Sequence, residues 1–158
     1  MDQSTHRRYF EDLSEGDTHD LGATLVTREM ILDFAHEFDP LPFHVDEDAA
    51  RRSLLGGLSS SGWQTGALTL RMLADVFLAR VVALGGLGFS NLKWKRPVMV
   101  GDTISATATI ASLRPSDGDP GRGIVILDIE TRNQRGESVM ALSLANLVAT
   151  RPARGEGS

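Results

Sequence analysis

Residues 62–86 read GWQTGALTLRMLADVFLARVVALGG. Apolar side chains occupy most of the circumference of a 3.6-residue period, the charges are confined to Arg71, Asp75 and Arg80, and a glycine pair closes the run. The pattern predicts a helix from Trp63 to Leu84, buried nearly all round. Its three charges argue against a membrane span. Such a helix needs cover on several sides, and the flanking sequence has the patterning to provide it.

After Gly88 the composition turns to β. FSNLKWKRPVMVGD, TISATATIASL, GIVILDIETRNQ and SVMALSLANLVAT are β-branched or alternating runs divided by Gly, Asp and Pro. RNQRGES carries a tight hairpin signal centred on Gly136, and RPSDGDPGRG reads as a longer, mobile hairpin loop. Helices followed by a meander of strands describe an α+β domain, with one face of an antiparallel sheet packed on the long helix.

Upstream, Ile31, Phe34, Ala35 and Phe38 form one apolar stripe of a helix with Thr27 as N-cap. Pro40 ends it, which places Asp39 at the helix exit. Asp46 is the N-cap of a second short helix in EDAARRSLL, stopped by Gly56 and Gly57. Between the two lies DPLPFHVDEDAA, residues 39–50, where Pro40 and Pro42 stand between an acid and His44. A surface loop has no need of two fixed φ angles there, whereas a site does.

The 158 residues suit one domain, with an ordered core from about Tyr9 to Thr150 and frayed polar ends. Cysteine is absent, which excludes disulfides and thiolate metal sites and fits a reducing compartment. No apolar signal-peptide core or membrane-length run is visible, so a soluble, cytoplasmic protein without a membrane partner is expected. With 16 Lys and Arg against 21 Asp and Glu, the net charge of −5 argues against nucleic acid as a partner. No H-x-x-x-H or H-E-x-x-H spacing suggests a metal. LGGLGFS follows a helix instead of joining a strand to one, so it is not read as a phosphate loop.

Over roughly Tyr9 to Thr150 the chain resembles the hot-dog fold, and within it the MaoC-like dehydratases and (R)-specific enoyl-CoA hydratases. The resemblance rests on D-x-N-P-x-H followed by Asp and small residues, matched by DPLPFHVDEDAA, with support from the glycine opening the central helix and from KRPVMVGDTI. It implies that Asp39 and His44 handle the water that adds across an enoyl thioester, with syn addition. The substrate would be an acyl-CoA or acyl-carrier thioester. No redox cofactor is implied, coenzyme A entering only as part of the substrate.

The enolate formed on the way needs fixed donors, and a helix N-terminus supplies them. Gly62 is the first choice for that oxyanion role, because without a Cβ it lets a thioester approach closely; Trp63 is the second. Lys93, Lys95 and Arg96 are candidate contacts for the phosphates of coenzyme A, with alternation placing both lysines on one strand face and Trp94 on the other. Leu41 departs from the family's Asn, and Thr65 and Thr69 match its helix serine only approximately. Ser59, Ser60 and Ser61 read as caps of the central helix. His36 reads as a surface histidine paired to Asp33, and His6 and His19 as solvated. Hot-dog proteins also include thioesterases and acyl-binding subunits, which stay open as alternatives. Their pairing through a sheet edge implies a homodimer or a dimer of dimers.

Overall fold

The computed structural model describes residues 6–153. A 3-10 turn at Phe10–Asp12 precedes strand β1 (Thr18–Leu25). Helices α1 (Arg28–Phe38), α2 (Pro42–Val45), α3 (Glu47–Arg52) and α4 (Gly62–Val76) follow. After a second 3-10 turn at Leu78–Arg80 come β2 (Ala83–Trp94), β3 (Thr103–Pro115), β4 (Arg122–Arg132) and β5 (Ser138–Ala149). The strands form one antiparallel sheet in the order β1-β3-β4-β5-β2.

Strand periodicity sends one face of this sheet onto α4. On β3, Ile104, Ala106, Ala108 and Ile110 point inward while Thr107 faces out; on β4, Val125, Leu127 and Ile129 do the same. They join Met72 and Leu73 of α4 and Phe77, which follows it, in one core, with Ile31 of α1 and Ala50 of α3 at its flank. This is the α+β, sheet-around-helix architecture expected of a hot-dog domain. No helix among the described residues is long and apolar enough to cross a membrane.

Several sequence expectations are corrected. The helix stops at Val76 rather than Leu84, because the segment beyond it has strand partners. The Val82 amide donates to Arg8 O at 2.9 Å and the Ala149 amide to Val82 O at 2.9 Å. β-branched Val81 and Val82 thus take extended structure, and pairing overrides the helical period. The glycines expected to end the helix lie inside β2, where Gly85 and Gly88 have φ of +154° and +141° beside shifts of register with β5. They are bulge residues. Nor is α4 buried all round within this chain: its hidden face is Gln64, Thr65, Thr69, Met72 and Leu73, while Trp63 and Leu70 are more than half exposed.

One strand and one helix escaped the sequence reading. β1 (THDLGATL) lacks a clear apolar alternation and is broken by Gly22 at φ +87°, where the register with β3 shifts. α2 is a single turn with Pro42 in its first position.

His19 is half-buried against Phe77, 4.9 Å between ring centroids, rather than solvated. Burial, and then the nearby Arg8 charge, push its pKa below the ordinary histidine value. His6 and His36 are exposed, and His36 makes no ion pair with Asp33 among the described residues. The frayed ends expected at the termini fall mainly on residues 1–5 and 154–158, outside the described residues. Within them, Arg8 pairs with Val81 and Arg151 is held by Glu11 and Asp12.

Leu73 is fully buried between helix and sheet. Leu73→Ala is expected to lower unfolding free energy by about 3 kcal/mol, through lost transfer energy and the cavity left behind. Urea denaturation followed by far-UV circular dichroism measures this.

Candidate active site

The acid and the imidazole are brought together by the turn their prolines impose. Thr27 caps α1 by accepting from the Met30 amide at 3.2 Å. The helix ends with the Asp39 amide donating to Ala35 O at 2.9 Å, and Asp39 itself has left helical geometry at φ −151°, ψ 66°. Pro40 enforces that exit. Pro42 then starts α2 with a preset φ at a position whose N–H would have no helical partner. The His44 amide closes the turn on Leu41 O at 2.8 Å. The chain has thereby folded back, and His44 Nε2 lies 3.5 Å from Asp39 Oδ2. Asp46 caps α3 as expected, its Oδ1 accepting from the Asp48 and Ala49 amides.

The orientation of His44 is fixed from the other side of the ring. Nδ1 is 2.7 Å from the carbonyl of Ser59, and a carbonyl can only accept, so Nδ1 carries the proton. In the neutral ring Nε2 therefore presents a lone pair toward Asp39. The imidazole is buried, while the Asp39 side chain keeps about a quarter of its surface open. Ser59 is itself held extended: it bridges Met99, and the Ser60 amide donates to Val98 O at 2.7 Å.

The serine triplet does not do what the sequence suggested. Ser61 is the N-cap residue of α4, yet its side chain caps nothing. Its hydroxyl donates instead to Asp39 Oδ2 at 2.7 Å. Ser60 donates to Gln64 Oε1 at 2.8 Å, and Gln64 Nε2 donates to Met30 O at 2.7 Å, tying the head of α4 to the start of α1. Forgoing a side-chain cap costs about 1 kcal/mol, whereas a hydrogen bond to a charged group contributes about 1.5–3 kcal/mol, so the trade favours the carboxylate. The amides of the first turn, Gly62 and Trp63, are left without intrahelical partners and carry the positive end of the helix dipole.

Gly62 needs a different explanation from the one its position suggested. A Cβ there would sit 2.5 Å from Cε2 of Trp94, whose Nε1 donates to Gly62 O at 3.0 Å. The space beside Gly62 Cα belongs to this chain's own indole, and not to an approaching ligand.

A cavity of about 300 Å³ brings together His44, Ser59, Gly62, Trp94, Lys95 and Arg96. Asp39 is not among the lining residues, but its side chain meets His44, which is. Trp63 lies instead on a second, apolar cavity of about 310 Å³, with Leu70, Phe89, Leu92 and Leu142. Of all the lining residues only Trp94 is common to both.

Lys93 lies outside the first cavity and opposite Ala141 in the ladder. The alternation that grouped it with Lys95 fails because β2 ends at Trp94, so Lys95 turns to the same cavity as the indole. Arg96 also faces Glu137 at 3.3 Å, and Glu137 is held below the usual carboxylate range by hydrogen bonds from Arg135 and Asn133. Thr65 and Thr69 are buried, and Thr69 is hydrogen-bonded to Thr131 at 2.8 Å. No cluster of three metal-ligating side chains occurs among the described residues.

The site residues that sequence reasoning missed are Ser61, the carbonyl of Ser59, and Trp94. The available signal was SSSG itself, since three consecutive hydroxyls exceed what one helix cap requires.

Comparison with known proteins identifies the family. The model of the MaoC like domain matches residues 15–123. The chain belongs to the MaoC-like family. It is 32% identical over 108 residues to an (R)-specific enoyl-CoA hydratase of Rhodospirillum rubrum, covering 68% of this chain and 72% of that protein. The crystal structure of a MaoC-like dehydratase from Rhodospirillum rubrum superposes with a TM-score of 0.85 at 40% identity, covering 92% of this chain and 99% of that one. A conserved hypothetical protein of Mycobacterium tuberculosis with a double hotdog fold has a TM-score of 0.82 at 19% identity, covering 96% of this chain and 47% of that one, and shares the fold.

Gly62→Ala tests the contact that sets the head of α4. The added methyl must displace the Trp94 ring, and a stability loss of about 1–3 kcal/mol is expected. In a Trp94→Leu background the same substitution should cost much less, and a double-mutant cycle measures the coupling.

Proposed function

We propose that the chain catalyses the reversible hydration of trans-2-enoyl-CoA to (R)-3-hydroxyacyl-CoA, with Asp39 and His44 as the acid–base pair. The observation that carries this reading is the 3.5 Å approach of His44 Nε2 to Asp39 Oδ2, with Nδ1 committed to the Ser59 carbonyl. A water beside the pair gives up one proton as its oxygen attacks C3. The pair takes that proton, and with its two members adjacent returns one to C2, ending in the protonation state in which it began. Both events fall on one face of the double bond, which gives syn addition.

Negative charge gathers on the thioester oxygen between the two steps. The free amides of Gly62 and Trp63 at the head of α4 are the donors suited to it. Lys95 and Arg96 at the rim of the same cavity suit the phosphates of coenzyme A. Leu41 supplies the carbonyl that closes the α2 turn, while its side chain is 47% exposed. The R. rubrum relative named as an (R)-specific enoyl-CoA hydratase supports the stereochemistry.

The working unit is a homodimer. β2 is a sheet edge, and Leu84, Leu87 and Phe89 along it are all more than half exposed. A second copy pairing there would cover both the open backbone groups and these side chains.

Purified protein is expected to consume the conjugated-thioester absorbance of trans-2-enoyl-CoAs of four or more carbons. Asp39→Asn and His44→Ala should each lower kcat by about 10²–10⁴-fold while keeping the fold. Equal rates in folded variants would sink the proposal, and thiol release from saturated acyl-CoA would indicate a thioesterase instead. Light scattering at micromolar concentration should give twice the 17.1 kDa chain mass.

A further inference from the structure

We infer that Ser61 is the positioning residue of the acid–base pair, holding the Asp39 carboxylate so that one oxygen stays toward His44 and the other is left to work. The inference rests on the hydratase reading and deepens it. Among the described residues Ser61 is the only hydrogen-bond donor to the Asp39 side chain, at 2.7 Å. His44 Nε2, at 3.5 Å from the same Oδ2, is too distant to hold the carboxylate itself.

A carboxylate turns about χ2 through a broad, twofold well, so without a donor neither oxygen is assigned a place. Ser61 removes that freedom. Its hydroxyl is pinned in turn, because the residue is 1% exposed and its backbone opens α4. A carboxylate can only accept from it, so the hydroxyl proton is fully committed.

Ser61 also joins the two halves of the site. The backbone that aims Ser61 Oγ at Asp39 continues into the Gly62 amide, and two residues earlier it supplies the carbonyl that holds His44 Nδ1. The distance between proton-handling groups and oxyanion donors is therefore set within one segment, residues 59–62. Hydroxyl and amide keep their spacing whatever the substrate does. Ser61 touches the reacting atoms only through Asp39, which predicts a defect in turnover and not in substrate binding.

The test is steady-state hydration kinetics on the fastest substrate found among trans-2-enoyl-CoAs of four or more carbons, with the full-length parent, Ser61→Ala, Ser61→Cys, Ser61→Thr and Asp39→Asn, with Tm measured for each. Ser61→Ala should lose on the order of 10-fold or more in kcat with KM changed less than about threefold. Ser61→Cys keeps the size but donates weakly, and should fall close to Ser61→Ala. Ser61→Thr retains the donor and should recover most of the rate. Ser61→Ala or Ser61→Cys turning over at the parent rate, with Asp39→Asn inactive, would overturn this inference and leave the hydratase reading standing. So would Ser61→Thr as slow as Ser61→Ala with a parental Tm. A parent inactive on every enoyl-CoA would overturn both.

Discussion

The rest of the molecule depends on the contact of α4 with the inner face of the sheet. Met72, Leu73 and Phe77 are locked among β-branched and aliphatic side chains of β3, β4 and β5, which fixes the helix as a rod within the domain. Close packing makes such a rod hard to shift by even a fraction of an ångström. Its head consequently has a defined place, and every group of chemical interest is referred to that head. The Ser59 carbonyl, the Ser61 hydroxyl and the Gly62 amide are successive features of one short segment running into it.

The opposing wall is a turn made stiff by two prolines. Neither proline touches the pair by a hydrogen bond; each works by restricting φ. Pro40 throws Asp39 out of α1, and Pro42 starts the single turn that brings His44 back. Among the described residues, helix head and stiff turn meet through two hydrogen bonds, one to each member of the pair. Preorganisation here means that neither side chain needs to search for its orientation when a ligand arrives.

Much of this was legible in the sequence, and the reasons for the failures are physical. β3, β4 and β5 announce themselves because a half-buried strand must alternate, and the Asp39–Pro40–Pro42–His44 spacing is local, so it survives translation into structure. The end of α4 was misjudged because Val81 and Val82 are apolar enough to continue a helical stripe, while the β5 and Arg8 partners that pull them into extended structure are remote in sequence. β1 was invisible because it is an edge strand whose pairing, rather than its patterning, makes it a strand. Ser61 was read as a cap since a serine before a helix ordinarily is one. Only the position of Asp39, 22 residues earlier, reveals the competing acceptor. Trp94 was hidden for the same reason: nothing near it in sequence indicates that Gly62 will be its neighbour.

The chain has two tryptophans and one tyrosine. Trp63 and Trp94 stand edge to face, 5.2 Å between ring centroids, at the head of α4, and Trp94 borders both cavities. The indole emission of the protein therefore originates wholly at the site and not from a scatter of positions. A quencher or a ligand entering either chamber meets a fluorophore directly, so the protein carries its own optical reporter of occupancy without a label.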